Sequence, residues 1–153
     1  EASRDLFAQS DRDRITADVI AGVPYLAAHP DCTGKVGSVG FCYGGGVALR
    51  CAAAHPDIVG AGVCFYGSPL DRDQTAQVKA PLMMHYAGED ARVNGTIPEF
   101  RALLDEFKIA YSLHMYPGTG HGFHNDSSAA RYDEAAAKLA WQRTLNLFAG
   151  SLV

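Results

Sequence analysis

Apolar residues Ile15, Val19, Val23 and Leu26 recur at i, i+4, i+8 and i+11, one face of a helix predicted over residues 10–28. Ser10 with Asp13 three residues on is a variant capping box. Pro24 lies inside the pattern and predicts a kink or an earlier end, and His29-Pro30-Asp31 stops the helix. A short Val- and Gly-rich strand follows at 35–41, then an Ala-rich helix at 44–55. Residues 61–66 are continuously apolar, as in a strand buried on both faces. The polar stretch 69–79 is read as loop, and 81–86 as another buried strand. Thr96-Ile97-Pro98-Glu99 is a capping box with Pro in the first turn, opening a helix to about Phe107. A strand at 110–116, a Gly-, His- and Asn-rich loop at 117–128 and a helix at 130–148 with Trp141, Leu145 and Phe148 on one face complete the chain. Buried strands alternating with helices imply an α/β fold with a mostly parallel sheet flanked by helices, and residues 1–153 are read as a single domain.

Composition narrows the function classes. The 153 residues are 48% hydrophobic and 20% charged, with formal net charge -4, too apolar for intrinsic disorder. No apolar run approaches the ~18 residues of a membrane span, and the scattered Lys and Arg give no nucleic-acid footprint. Cys32, Cys42, Cys51 and Cys64 form no C-x-x-C pair, so structural zinc is not expected. They read as reduced thiols of a cytoplasmic protein, at least three of them packing residues.

Chemistry concentrates in three loops, each placed after a predicted strand, where parallel sheets build their sites. The first, Gly40-Phe41-Cys42-Tyr43-Gly44, is the G-x-C-x-G form of a nucleophile elbow. On so sharp a turn the residues two before and two after the nucleophile approach each other, so glycine is expected at both Gly40 and Gly44. The helix that follows offers free N–H groups and partial positive charge to an anion. Alone, the stretch reads equally as a glycine-rich turn around a buried Cys; it fits neither a P-loop nor a dinucleotide fingerprint. The second loop runs Gly88-Glu89-Asp90-Ala91-Arg92 and supplies a carboxylate; the third, Gly118-Thr119-Gly120-His121-Gly122-Phe123-His124, supplies an imidazole. The chain order nucleophile, acid, His is that of α/β-hydrolases. His85, inside a strand, is expected to be a satisfied core or rim residue.

Over nearly its whole length the sequence resembles the dienelactone hydrolase (carboxymethylenebutenolidase-like) family of α/β-hydrolases. The residues that carry the likeness are 34–46 around the Cys elbow, Phe65-Tyr66-Gly67, His85-Tyr86-Ala87-Gly88 through Asp90, Tyr116-Pro117-Gly118 through Asp126, and Ala140-Trp141-Gln142-Arg143-Thr144-Leu145. The resemblance implies an α/β-hydrolase fold and a hydrolase of small-molecule carboxylic esters or lactones. In it Cys42 is the nucleophile that forms a thioester, His121 the base, Asp90 its orienting acid and the Tyr43 N–H an oxyanion donor. From their place in the fold Tyr66, Phe123 and His124 are candidate substrate contacts, with aromatic core an equal reading for Tyr66 and loop surface the other reading for His124, and no metal or organic cofactor is called for. Esters with good leaving groups, such as enol lactones, suit this chemistry better than amides.

Two departures qualify the resemblance. The family places several strands before the elbow, whereas this chain has one helix and one strand there and opens at Glu1, so it is expected to be the C-terminal portion of a family domain, truncated at its N-terminus. Asn125 stands where some members carry a carboxylate-binding Arg; Arg92 or Arg131 could substitute. Two other roles stay open: a non-catalytic fragment that forms a homodimer or binds a partner through an exposed sheet edge, and a thiol sensor built on Cys42.

Overall fold

The computed structural model describes the backbone of residues 2–153 and the side chains from Asp5 onward. In chain order the elements are α1 (Ala2–Gln9), α2 (Arg12–Ala27), β1 (Val36–Phe41), α3 (Tyr43–Ala54), β2 (Val59–Phe65), α4 (Arg72–Thr75), β3 (Leu82–Glu89), α5 (Ala91–Asn94), α6 (Ile97–Glu106), β4 (Tyr111–Gly120) and α7 (Glu134–Ser151). The strands form one sheet in the order β1-β2-β3-β4, every neighbouring pair parallel. Side chains alternate across it. Cys64, Leu82, Met84 and Tyr86 enter a core shared with Leu49 and Ala52 of α3 and with Phe100 and Leu104 of α6. Val63, Phe65, Met83 and Ala87 enter a second core with Tyr116, Phe123 and the α7 residues Ala136 and Ala140. Because all four strands run the same way, the loops after β1, β2, β3 and β4 gather at one edge of the sheet.

Several local expectations are corrected. The cap of α2 is Asp11, whose carboxylate accepts from the backbone N–H groups of Asp13 (3.0 Å) and Arg14 (3.1 Å); Ser10 instead donates its hydroxyl to the Leu6 carbonyl and closes α1. Pro24 does not end α2, which runs on to Ala27. It removes the N–H that would bond to the Ile20 carbonyl, and the His55 ring nitrogen Nε2 takes that carbonyl at 3.0 Å. The stretch 69–79 holds a helical turn, α4, closed by a reciprocal capping box between Asp71 and Gln74. Thr96 makes no side-chain cap, because α5 runs almost directly into α6 and its hydroxyl donates back to the Val93 carbonyl.

The two outer helices bury different faces from those their large apolar residues suggest. On α2 only Val23 is buried; Val19 and Leu26 are each 50% exposed and flank an open apolar groove of about 510 Å³ against Val36 and Val39 of β1 and Val47 of α3. On α7 the buried face is Ala136, Ala137, Ala140 and Thr144, while Trp141 and Leu145 stay exposed. Small residues let α7 lie close on the sheet, which turns the indole outward. Among the described residues no helix is long and apolar enough to cross a membrane.

Candidate active site

Cys42 sits between β1 and α3 with φ 54° and ψ -118°, a conformation L-residues rarely adopt. The surrounding backbone imposes it. The Cys42 N–H donates to the Phe65 carbonyl, and the Gly45 N–H donates to the Cys42 carbonyl, both at 3.0 Å. A Cβ at Gly40 would stand 1.9 Å from the Gly44 carbonyl oxygen, so no larger residue fits there. Gly44 does not share that constraint: a Cβ on it would meet open space, and the symmetrical requirement expected of the elbow holds on one side only.

The loop after β4 brings His121 over Cys42. Its Nε2 lies 3.2 Å from Cys42 Sγ, and its Nδ1 lies 2.6 Å from Asp90 Oδ2. Asp90, at the end of β3, is 8% exposed and is fixed by capping α5, where its Oδ1 accepts from the Val93 N–H at 3.3 Å. An acceptor at Nδ1 places the ring proton there and turns the Nε2 lone pair toward sulfur. Gly122, with φ 86°, allows the turn just after His121, and the Tyr66 ring packs edge-on against the imidazole at 5.0 Å. Cys42, Asp90 and His121 are thus brought together from three separate loops.

A cleft of about 370 Å³ opens in front of the sulfur, lined by Phe41, Cys42, Tyr66, His121, Gly122, His124, Asn125, Asp126 and Arg131. Tyr66 holds the left-handed φ of 40°. Burial and the neighbouring Cys42 push its phenol up to about 12, so it faces the cleft as a neutral hydroxyl. His124 is pushed down from its ordinary value by burial. Arg131 makes no ion pair among the described residues; its Nε donates to Ser128 Oγ at 3.2 Å. Tyr43 opens α3, so its N–H is one of the helix-start donors without an intrahelical partner. Its side chain points away, bonded to Thr16 and to the Arg12 carbonyl.

Of the three residues expected at the substrate, Tyr66 and His124 line the cleft and Phe123 does not. Phe123 is fully buried, packed against Tyr116 at 4.9 Å and Tyr66 at 5.4 Å, and supports the wall from behind. The turn after β4, with Gly122 at φ 86°, places Phe123 in the core between the cleft residues Gly122 and His124. Of the two arginines considered, Arg131 reaches the cleft and Arg92 is not among its lining residues. Phe41, Gly122 and Asp126 are cleft residues that sequence reasoning passed over; their signal was adjacency to Cys42 or membership of the His121 loop. His85 is a satisfied core residue, bonded to the Tyr116 hydroxyl and to Thr144. Among the described residues no group of three or more His, Cys, Asp or Glu is arranged to hold a metal ion.

The profile of the dienelactone hydrolase family matches residues 1–152. A carboxymethylenebutenolidase of Pseudomonas putida is 31% identical over 153 residues, covering 97% of this chain and 63% of that protein. A protein of Saccharolobus solfataricus is 31% identical over 136 residues, 88% of this chain and 51% of the relative. The crystal structure of a dienelactone hydrolase from Anabaena variabilis superposes with a TM-score of 0.75 at 27% identity, over 94% of this chain and 62% of that one. The chain therefore spans between half and two thirds of the length of these proteins.

Proposed function

The chain belongs to the dienelactone hydrolase family and has its α/β-hydrolase fold, and from that premise we propose that it hydrolyses carboxylic esters or lactones through a thioester on Cys42. The observation that carries this reading is the continuous path from Asp90 Oδ2 through His121 to Cys42 Sγ. The sulfur attacks the carbonyl carbon while His121 Nε2 takes the thiol proton. The carbonyl oxygen becomes an oxyanion that accepts from the Tyr43 N–H. Collapse expels the alkoxide, which takes the proton from His121 and leaves the acyl group on sulfur. Water, deprotonated by the same nitrogen, then attacks the thioester and releases the acid and the thiol. Asp90 keeps the ring in the required tautomer and stabilises the imidazolium between transfers. An enol leaving group needs least help at the collapse step, so small enol esters and enol lactones are the substrate class. Arg131, which makes no ion pair among the described residues, suits a carboxylate carried by the substrate. Phe41, Tyr66 and His124 form an aromatic wall.

The test is hydrolysis of vinyl acetate and p-nitrophenyl acetate by the wild type and by Cys42→Ala, with circular dichroism to monitor the fold. Activity that falls about 10³-fold or more in a folded variant supports the proposal. Unchanged turnover in Cys42→Ala removes it.

A second reading is favoured by one observation. Among the described residues β1 pairs only with β2, and Val39 and Phe41 on this edge strand are exposed. Such an edge accepts another strand, so we also propose self-association through β1. Sedimentation equilibrium decides it: a homodimer that dissociates on Val39→Lys supports the reading, and a monomer at all concentrations overturns it. The four free thiols support a reducing, cytoplasmic location.

A further inference from the structure

A second, smaller cavity of about 190 Å³ adjoins the catalytic cleft, lined by His124, Asp126, Tyr132, Ala137, Lys138 and Trp141. His124 and Asp126 belong to both cavities. The His124 ring is the partition. One neighbour is Phe41 of the cleft, with ring centroids 5.1 Å apart; another is Trp141 of the smaller cavity, at 5.7 Å. The two cavities therefore share a wall at His124 and Asp126, and a ligand that spanned it would touch both Cys42 and the indole.

We propose that this cavity is a substrate subsite for the planar aromatic ring of an ester, resting on the hydrolase reading above. Three observations fix the chemistry. First, the indole is 37% exposed although α7 buries Ala and Thr instead, and with Tyr132 beside it the cavity presents aromatic surface, which favours stacking with a flat ring. Second, the charges of the cavity offset one another: the exposed Lys138 ammonium pairs with Glu134 at 2.6 Å, burial lowers His124 from its ordinary value, and the Asp126 carboxylate shares the lining. A ring that carries no charge of its own suits that balance. Third, the hollow, about 190 Å³ and open to solvent on one side, has room for one ring, since an enclosed cavity of about 150 Å³ already holds benzene.

Trp141 is the only tryptophan of the chain, so its emission reports the subsite directly and without turnover. The probes are phenylacetate, cyclohexylacetate and acetate, titrated into the wild type. A saturable emission change with phenylacetate, half-complete at a concentration about threefold or more below that for cyclohexylacetate, is the size an aromatic contact gives. Acetate, with no ring, leaves the emission unchanged. Kinetics supply the second readout, with the ring on the same acyl side: the kcat/KM ratio of vinyl phenylacetate to vinyl acetate falls about threefold or more in Trp141→Leu, while Leu139→Ala, on an exposed face of the same helix, keeps the wild-type ratio. No saturable emission change, or a ratio that Trp141→Leu does not move, overturns the subsite even if both esters are hydrolysed. A saturable change without turnover of either ester keeps the ring pocket and removes the hydrolase reading instead.

Discussion

Cys42 Sγ and His121 Nε2 stand 3.2 Å apart although 79 positions separate them in the chain. The distance is set by backbone, since each residue follows a strand of the same parallel sheet, Cys42 on an elbow closed by Gly40 two residues before it and His121 next to Gly122. The third member, Asp90, acts on this pair only through the other face of the imidazole, at 2.6 Å from Nδ1.

That arrangement makes the Asp90→Asn variant informative. An amide can present its NH2 to Nδ1, which then accepts and leaves the proton on Nε2, pointing at sulfur. The base is lost while the geometry persists. For the proposed reaction kcat is expected to fall about 10⁴-fold, by analogy with the loss of tautomer control in a serine triad, with KM moving far less. Steady-state kinetics on an activated ester check it, and a kcat within tenfold of wild type would show that Asp90 does not orient the base.

Gly40 and Gly44 look equivalent in the elbow and are not. Gly40→Ala places a methyl group against the Gly44 carbonyl, a backbone clash that cannot relax through a rotamer. It is expected to destabilise the fold by about 2–3 kcal/mol and to displace the sulfur. Gly44→Ala adds its methyl in open space on a helix, with an effect between neutral and about 1 kcal/mol stabilising. Urea denaturation of both variants separates them, and equal losses would refute the one-sided contact.

The elbow shows where sequence legibility stops. The order of strands along the chain, the parallel sheet and the loops carrying Cys42, Asp90 and His121 were readable because buried strands and Gly-rich turns leave one-dimensional marks. The asymmetry of Gly40 and Gly44 was not, because it depends on which face of a helix stands open. Phe123 was placed at the substrate for want of the register that turns it inward. The apolar residues of α2 and α7 misled for a related reason: helical periodicity identifies a stripe, but on α7 close packing selected Ala136, Ala137 and Ala140 over the larger stripe. Arg131 was visible only as a candidate, since ten residues and a loop separate it from His121.

Arg131 supports a charge-selective prediction. Its guanidinium lines the cleft beside Gly122 without an acidic partner among the described residues. Removing it should matter only to substrates that bring an anion. Arg131→Gln is expected to raise KM about tenfold or more for an ester bearing a free carboxylate, the scale of one charged hydrogen bond, and to leave the KM of a neutral ester of equal size within about twofold. Parallel increases for both esters would mean that Arg131 shapes the cleft and does not bind the anion.

His85 makes the fold sensitive to acid. It is fully buried beneath the site. Thr144 donates its hydroxyl to the Ala140 carbonyl, so His85 Nε2–H must donate to Thr144 Oγ1. Nδ1 is then left to accept from the Tyr116 hydroxyl, which itself accepts from Arg143. Every position is satisfied by the neutral ring. Burial, with His114 and Arg143 nearby, lowers His85 from 6.5 to about 3. The unfolded chain therefore binds a proton near pH 6.5 that the folded chain refuses until about pH 3, and stability falls with decreasing pH across that window. The slope approaches about 1.4 kcal/mol per pH unit for this one group. The lowered values of His114 and His124 add to it in the same direction. Urea midpoints between pH 7 and pH 4 measure the slope, and the His85 imidazole NMR signals identify its source. They are expected to stay those of the neutral Nε2–H tautomer at pH 5, and a His85 resonance titrating near 6.5 would refute the buried neutral ring.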